Sequence, residues 1–205
     1  MDNVQVKEGF YHDESYDVKG RFASYWHQIN EVLILRPSSV LEVGLGNGFL
    51  SDYLRKIEVN LTTLDIDETL NPDVLGSVLK LPFENQEFDV IVCYQVLEHL
   101  PYDVVPIALG EMRRVSRRNV IISLPDATPK ASIHLKLPLI FDGGIVLSLP
   151  LRFRKHVFDG QHYWEIGKKD TQLRTFKKVV RETGFIIEKT YRVYEHPWHR
   201  FFVLR

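Results

Sequence analysis

The sequence predicts an α/β fold on a mostly parallel sheet, because short apolar runs alternate with helical stretches along most of the chain. The apolar run Val40–Val43 leads into a glycine-rich turn, as a buried parallel strand does before a helix. Further strands are predicted at Leu61–Asp65, 74–79, Phe88–Tyr94 and 119–124. With 205 residues, 44% of them hydrophobic, the chain is long enough for one well-buried domain and short for two.

The C-terminal part of the chain predicts a helix and a strand pair. The helix covers 171–182, with Thr171 as its N-cap and Gly184 as the glycine that ends it. Two apolar segments, 185–193 and 200–204, are separated by a short turn. This spacing favours an antiparallel return of the last strand.

The glycines after the first strand indicate what kind of ligand the fold binds. They follow the pattern Gly44-x-Gly46-x-Gly48, whereas a dinucleotide site needs G-x-G-x-x-G, whose third glycine position is here Phe49. Asp65 ends the next strand about 20 residues on, where a carboxylate can accept hydrogen bonds from two ribose hydroxyls. The unit is therefore predicted to bind a nucleoside without a pyrophosphate.

Glu42 together with this glycine pattern resembles motif I of the class I S-adenosylmethionine (SAM) dependent methyltransferases. Residues 76–83 and 88–100 resemble the later signature of the small-molecule branch, called type 11, and the resemblance covers 38–125. It implies a Rossmann-like seven-stranded sheet in the order 3-2-1-4-5-7-6, with strand 7 antiparallel. It also implies SAM as the cofactor.

The resemblance further implies roles for individual residues. Glu42 and the glycine-loop backbone meet the amino-acid end of SAM, and Asp65 meets the ribose. Ser77 stands where the branch usually has Asp at the adenine amino group, and the following amide, of Val78, meets the ring. Tyr94 offers either an aromatic face to the sulfonium or packing against the glycine loop. The predicted cofactor-binding residues are Glu42, Gly44, Gly46, Asp65, Ile66, Ser77, Val78 and Tyr94.

Candidates for a catalytic base lie outside the cofactor motifs. The loop 159–167 places His162 and Glu165 three residues apart, which suits a base and the group that orients it. A self-contained turn that fixes the start of the next helix is the alternative. His99 follows the fourth strand as either a structural cap or a base. A base is needed only if the nucleophile starts protonated.

One methyltransferase domain is predicted over 1–205, with an N-terminal arm at 1–37 and a lid-like insertion at 125–170. The aromatic arm either folds over the cofactor or simply packs on the core. The apolar stretch 135–151 is expected to pack on the domain, on a second subunit in a homodimer, or on a membrane surface as a peripheral contact. The basic cluster at 152–156 suits an anionic or lipid-linked acceptor, or is a solvated loop.

Charge and composition narrow the acceptor. The net charge of −1 and pI of about 6.7 make nucleic acid an unlikely substrate. The Pro-Pro-aromatic tetrapeptide of base-amino methyltransferases is replaced by Tyr94-Gln95-Val96-Leu97. A single cysteine, Cys93, fits a reducing, cytoplasmic location. No signal peptide, transmembrane segment or metal-ligand spacing is found, so no metal site is expected.

The predicted function is SAM-dependent methyl transfer to an oxygen or nitrogen atom of a small or lipid-linked acceptor. The alternative is a catalytically silent SAM-binding subunit that supports a partner enzyme. The cofactor motifs favour SAM binding in both cases, so they do not separate the two.

Overall fold

The computed structural model describes residues 11, 16–137, 141–149 and 154–205. The helices are α1 (Lys19–Leu35), α2 (Phe49–Lys56), α3 (Val105–Val115) and α4 (Leu173–Glu182). The strands are β1 (Val40–Val43), β2 (Leu61–Asp65), β3 (Val74–Leu75), β4 (Phe88–Tyr94), β5 (Ser116–Pro125), β6 (Lys130–Leu137), β7 (Phe141–Ser148), β8 (Ile187–Arg192) and β9 (His199–Leu204). None of the described helices is long and apolar enough to cross a membrane.

Seven strands form one sheet in the order β3-β2-β1-β4-β5-β9-β8. Strands β1 to β5 pair in parallel, and β9 runs antiparallel to both β5 and β8. The predicted order is confirmed, including the antiparallel last strand. The strand numbers differ only because β6 and β7 form a separate two-stranded sheet between β5 and α4.

The central strands are buried on both faces, which is why they are almost wholly apolar. On one face, α3 and α4 contribute Met112 and Phe176 to the core. On the other face, α1 and α2 contribute Val32 and Leu54. This three-layer arrangement holds β1 and β4 side by side and leaves their carboxyl ends open at one edge of the sheet.

Two element boundaries differ from the prediction. β3 stops at Leu75 rather than at residue 79, because the hydroxyl of Ser77 accepts the amide N–H of Leu79 at 3.2 Å and turns the chain. Thr171 is not the N-cap of α4, since its hydroxyl donates to the carbonyl of Glu165 at 2.6 Å. Gly184 does end that helix, in the left-handed region at φ +87°.

The segment between β5 and α4 contains the hairpin of β6 and β7. Of the three placements expected for the apolar stretch 135–151, burial on the domain does not hold for Leu135, Ile145 and Leu147, which are exposed. Packing on a second subunit or on a membrane surface stays a prediction. Residues 138–140 and 150–153 of the predicted insertion lie outside the described residues, as do residues 1–10 and 12–15 of the predicted arm. The division into arm, domain and lid stays a prediction.

Candidate active site

A cavity of about 440 Å³ opens at the carboxyl ends of β1, β2 and β4. This volume lies within the usual range for small-ligand sites. The N-terminal arm and the turn between β8 and β9 complete its wall. Among its lining residues are all the predicted cofactor residues and two of the three catalytic candidates: Glu42, Gly44, Gly46, Asp65, Ile66, Ser77, Val78, Tyr94, His99 and His162.

The glycine loop brings backbone rather than side chains to the cavity. Gly44 has φ +84°, and a Cβ there would lie 2.3 Å from a methyl carbon of Val96. Both the conformation and the space therefore require glycine. The amide N–H of Gly44 donates to the carbonyl of Leu64 at 2.8 Å, which fixes the loop to the end of β2.

Glu42 carries a buried carboxyl group beside the glycine loop. It lies in β1, lines the cavity, and its Oε2 atom has no hydrogen-bond partner among the described residues. Burial raises the pKa of Glu42 to about 8, and the charge of Asp65 adds to this effect against that of Arg55. An unpartnered buried carboxyl group of this kind is suited to a cationic ligand group.

Asp65 is held rigidly at the end of β2 by two backbone amides. Its Oδ2 atom accepts the N–H of Leu45 at 2.8 Å, and its Oδ1 atom accepts the N–H of Asp67 at 3.0 Å. Each carboxylate oxygen can accept a further hydrogen bond from a ligand. The neighbouring Asp67 is half-buried and also lines the cavity, but its carboxylate caps the short turn after β2, where it accepts the backbone N–H of Thr69.

The remaining cofactor candidates form the side walls. Ser77 and Val78 follow β3, and Ile66 follows Asp65. The hydroxyl of Tyr94 donates to the carbonyl of Gln28 at 3.3 Å, and its ring lies 5.6 Å from that of Phe201. These contacts hold the Tyr94 ring between α1 and β9.

The N-terminal arm is tied to the glycine loop. The hydroxyl of Tyr25 donates to Asp17 at 2.7 Å, and the side-chain amide of Asn47 donates to the same carboxylate. The ring of Tyr25 stacks on Phe49 at 4.4 Å. Because Asn47 and Phe49 belong to the glycine turn and α2, these contacts connect the arm to the cofactor motif.

His162 and Glu165 form the pair that their spacing predicts. His162 Nδ1 lies 3.2 Å from Glu165 Oε1, and Lys168 Nζ lies 3.2 Å from the other carboxylate oxygen. Burial alone lowers the pKa of His162, but the hydrogen bond to Glu165 and the charge of Glu98 outweigh burial, so this pKa is raised. Glu165 is buried behind His162, and only the imidazole reaches the cavity.

The loop that carries this pair is fixed at both ends. Asp159 accepts the backbone N–H of His162 at 2.8 Å, and the N–H of Tyr163 donates to the carbonyl of Glu98 at 2.8 Å. The indole N–H of Trp164 donates to the carbonyl of Leu100 at 3.1 Å. The loop is therefore attached to the turn after β4, which places the imidazole in a defined position.

His99 and Glu98 lie in that turn, next to His162. The Nδ1 atom of His99 lies 3.1 Å from the carbonyl of Gln161, and burial and the charge of His162 lower the pKa of His99 to about 4. Neither carboxylate oxygen of Glu98 has a hydrogen-bond partner within the described ranges, and burial raises the pKa of Glu98 to about 8. The His99 imidazole contacts the backbone just before His162, and its role as a structural cap or as a base stays a prediction.

The same residues could also hold a cation. One potential ligand atom from each of Glu98, His99 and His162 lies within 4.8 Å of the others, and Asp159, His162 and Glu165 form a second such set. The spacing along the chain does not reveal the first set, because the fold brings together the turn after β4 and the loop before α4, whereas the second set lies within that loop alone. The absence of a metal site stays a prediction.

Sequence reasoning assigned no role to the turn between β8 and β9, yet it supplies His196, Trp198 and His199 to the cavity wall. The Nδ1 atom of His199 lies 2.7 Å from the hydroxyl of Ser24 on α1. Burial lowers the pKa of His199 well below its ordinary value, so this imidazole is neutral. The density of histidine and tryptophan in a short turn was the only sequence signal for this wall.

Residues 41–124 match the sequence model of a family described as a methyltransferase domain. The match covers less than half of the chain; together with the sheet order and the cavity at its open edge, it makes this part of the chain similar to the class I SAM-dependent methyltransferases.

Two curated relatives are similar to part of the chain. The ubiquinone biosynthesis O-methyltransferase of Pseudoalteromonas translucida (strain TAC 125) is 26% identical over 144 residues, which are 58% of this chain and 60% of the relative. A probable SAM-dependent methyltransferase of Mycolicibacterium smegmatis is 30% identical over 93 residues, which are 38% of this chain and 36% of the relative. The matched part of the chain thus spans 60% of the length of these relatives or less.

Solved structures show the same fold. The 1,6-didemethyltoxoflavin-N1-methyltransferase of Burkholderia thailandensis, solved with S-adenosylhomocysteine (SAH), has a TM-score of 0.63 at 17% identity, over 95% of this chain and 81% of that chain. The magnesium protoporphyrin IX methyltransferase of Synechocystis PCC 6803, also with SAH, has a TM-score of 0.60 at 16% identity, over 90% and 83%.

Proposed function

We propose that this chain transfers the methyl group of SAM to an oxygen or nitrogen atom of a small or lipid-linked acceptor. The observation that carries this proposal is that the cofactor residues and the imidazole of His162 line one cavity. Glu42, the glycine loop and Asp65 line one end of that cavity. A silent SAM-binding subunit would have no use for an oriented imidazole in the same cavity.

The cofactor end of the cavity fits SAM group by group. The unpartnered carboxyl of Glu42 matches the α-ammonium group, and the rigid carboxylate of Asp65 matches the two ribose hydroxyls. We assign the Ser77 hydroxyl and the amide of Val78 to the adenine edge, and Ile66 to its face, because all three residues line the cavity. These assignments rest on the location of the residues and on the family resemblance.

SAM supplies an electrophilic methyl group, which a nucleophile displaces in line while the sulfur keeps the bonding electron pair and leaves as neutral SAH. His162 takes the proton of a hydroxyl or ammonium acceptor. Because its Nδ1–H donates to Glu165, its Nε2 atom is the one that accepts this proton. Glu165, held by Lys168, fixes the ring and stabilises the imidazolium as it forms.

Positioning supplies the rest of the catalysis. Holding acceptor and methyl group in a near-attack geometry is worth about 7 to 11 kcal/mol in well-oriented reactions. The arm, tied to the glycine loop through Tyr25 and Asn47, and the turn that carries Trp198 enclose the cavity from two sides. The acceptor then occupies the part of the cavity between His162 and Trp198.

The names of the curated relatives support the proposed class of acceptor, a small or lipid-linked molecule. Two curated relatives are ubiquinone biosynthesis O-methyltransferases, which suggests an oxygen nucleophile on an apolar acceptor. The exposed apolar hairpin of β6 and β7, which follows directly after β5, suits a lipid-linked molecule. The proposal also includes a homodimer and a cytoplasmic location.

Transfer of label from SAM carrying a radioactive methyl group tests the function. The protein is incubated with labelled SAM and a fractionated cell extract, and we expect label in a low-mass fraction that partitions into organic solvent. Label that stays on SAM in every fraction, although SAM binds by calorimetry, would identify a silent subunit. Label in RNA, DNA or protein would contradict the proposed acceptor class.

The pH dependence of SAM binding tests the role of Glu42. Because burial raises the pKa of Glu42 to about 8, this carboxyl is mostly protonated below that pH in the free protein and must lose its proton to pair with an ammonium group. SAM affinity is therefore expected to fall by up to about tenfold for each pH unit below that value. Calorimetric titration at several pH values measures this slope.

Glu42→Gln provides the matched control, since it keeps the shape of the side chain and cannot ionise. This variant should bind SAM more weakly and with little dependence on pH on the acid side. An equal slope in both proteins would show that another group titrates and that Glu42 does not meet the ammonium.

A further inference from the structure

The hairpin of β6 and β7 presents one wholly apolar face. In its register Ile133 pairs with Ile145, Ala131 with Leu147 and Leu135 with Gly143. Paired residues of antiparallel strands project to the same side, and every second residue shares that side. Its members in the described residues are Ala131, Ile133, Leu135, Leu137, Gly143, Ile145 and Leu147.

This apolar face points away from the protein. Ile133 is 58% exposed and Ile145 is 61% exposed, and Leu135, Leu137 and Leu147 are also exposed. Isolated exposed aliphatic side chains are common, but a contiguous face of five large ones on a two-stranded sheet is not. Such a hairpin is marginally stable by itself in water, so a partner on this face would also stabilise it.

The opposite face holds the hairpin to the domain. The His134 ring lies 5.3 Å from that of Tyr194, and a Cβ at Gly144 would lie 2.3 Å from the same tyrosine ring. Lys130 Nζ lies 5.1 Å from the ring centre of Trp198, which lines the cavity. The exposed apolar face is therefore fixed in orientation by contacts on the other side.

A buried ion-pair network lies where the hairpin joins the domain. Asp126, directly after β5, accepts hydrogen bonds from the guanidinium groups of Arg192 and Arg200. Arg192 also donates to the carbonyl of Thr128 at 2.9 Å. Breaking a buried pair of this kind is costly, so the hairpin leaves the domain at a rigid point.

The charge of the segment around the hairpin indicates which kind of partner could cover the apolar face. The segment 127–158 contains five Lys or Arg residues and one acidic residue, whereas the whole chain has a net charge of −1. Two copies meeting through this face would bring two cationic segments together. An anionic surface would meet both the apolar side chains and the exposed cations that follow the hairpin, Arg154 and Lys155.

We propose that the apolar face of the hairpin docks on a lipid bilayer that contains anionic headgroups. The aliphatic side chains enter the boundary between headgroups and acyl chains, and the lysine and arginine side chains reach the headgroups. Through Lys130 and Trp198 the docked hairpin brings the cavity wall close to the bilayer. This docking is independent of the proposed methyl transfer, since it requires no turnover.

Flotation with lipid vesicles tests the docking. The full chain is mixed with vesicles of phosphatidylcholine containing about a third phosphatidylglycerol, and separately with vesicles of phosphatidylcholine alone. We expect the protein to float with the anionic vesicles and much less with the neutral ones. The double variant I133N/I145N is expected to lower the vesicle-bound fraction at least about tenfold, because binding scales with buried apolar area.

The matched control is I107N/I186N, which replaces two isoleucines of similar exposure, 53% and 59%, outside the hairpin. It should float like the unmodified protein. Thermal melting and SAM titration should be alike for all three proteins, which separates lost docking from lost folding. The proposal is overturned if the unmodified protein does not float, if I133N/I145N floats equally well, or if light scattering shows that this variant instead dissociates a homodimer.

Discussion

Replacing His162 with alanine is expected to lower the rate of methyl transfer by about 10² to 10⁴, the usual contribution of a general base. Of the His162–Glu165 pair the imidazole is the member that lines the cavity, and Glu165 contacts its Nδ1 atom. SAM affinity should stay within about twofold, because His162 belongs to none of the cofactor motifs. Turnover on the identified acceptor and calorimetric titration of SAM measure the two effects.

A second variant, Glu165→Gln, tests the residue that orients His162. Glutamine still accepts a hydrogen bond from Nδ1 but carries no charge, and the hydrogen bond to the Glu165 carboxylate helps to raise the His162 pKa. A lower His162 pKa leaves the base unprotonated in more acidic solution. The acid limb of the pH–rate profile should therefore move to lower pH. Full turnover of His162→Ala, or loss of SAM binding and folding together, would show that the loop is structural.

Asp65→Ala is expected to weaken SAM binding by about 2 to 4 kcal/mol, since charged acceptors make the stronger hydrogen bonds. This corresponds to a loss of roughly 30- to 1,000-fold in affinity. The two amides of Leu45 and Asp67 hold the carboxylate in place for the ribose, so little reorganisation accompanies binding. Calorimetric titration of SAM measures the change.

Asp67→Ala is the comparison for this variant, because Asp67 lies two residues on and lines the same cavity, but its carboxylate caps the turn after β2. Its affinity for SAM should stay within about threefold of the unmodified protein. A melting curve checks that Asp65→Ala still folds, since it loses the bond to the Leu45 amide. Unchanged SAM affinity in Asp65→Ala, or a larger loss of SAM affinity in Asp67→Ala, would show that Asp65 does not bind the ribose.

The cofactor half of the site could be predicted because its determinants are local. A glycine turn between a buried strand and a helix, with Asp65 at the end of the next strand, is a pattern of adjacent residues. The conformation at Gly44 and the orientation of Asp65 follow from that same short stretch. The alternation of strands and helices predicted a mostly parallel sheet, and the family resemblance implied its order, which the structure confirms.

The acceptor half depends on contacts between distant segments. His199 and Trp198 reach the cavity only because β9 pairs with β5. No local sequence pattern indicates that pairing. The cluster of Glu98, His99 and His162 likewise joins two separate loops. The hairpin did have a local signal, the alternation of Ala131, Ile133, Leu135 and Leu137, which the apolar run after residue 135 obscured.

A crystal structure of the protein with SAH and its acceptor tests the central claim most directly. We predict that the ribose hydroxyls bond to the Asp65 carboxylate, that the amino group meets Glu42, and that the acceptor atom lies within hydrogen-bond reach of His162 Nε2. An acceptor bound with its reacting atom away from His162 would contradict the proposed base. SAH bound away from Asp65 and Glu42 would contradict the account of the whole cavity.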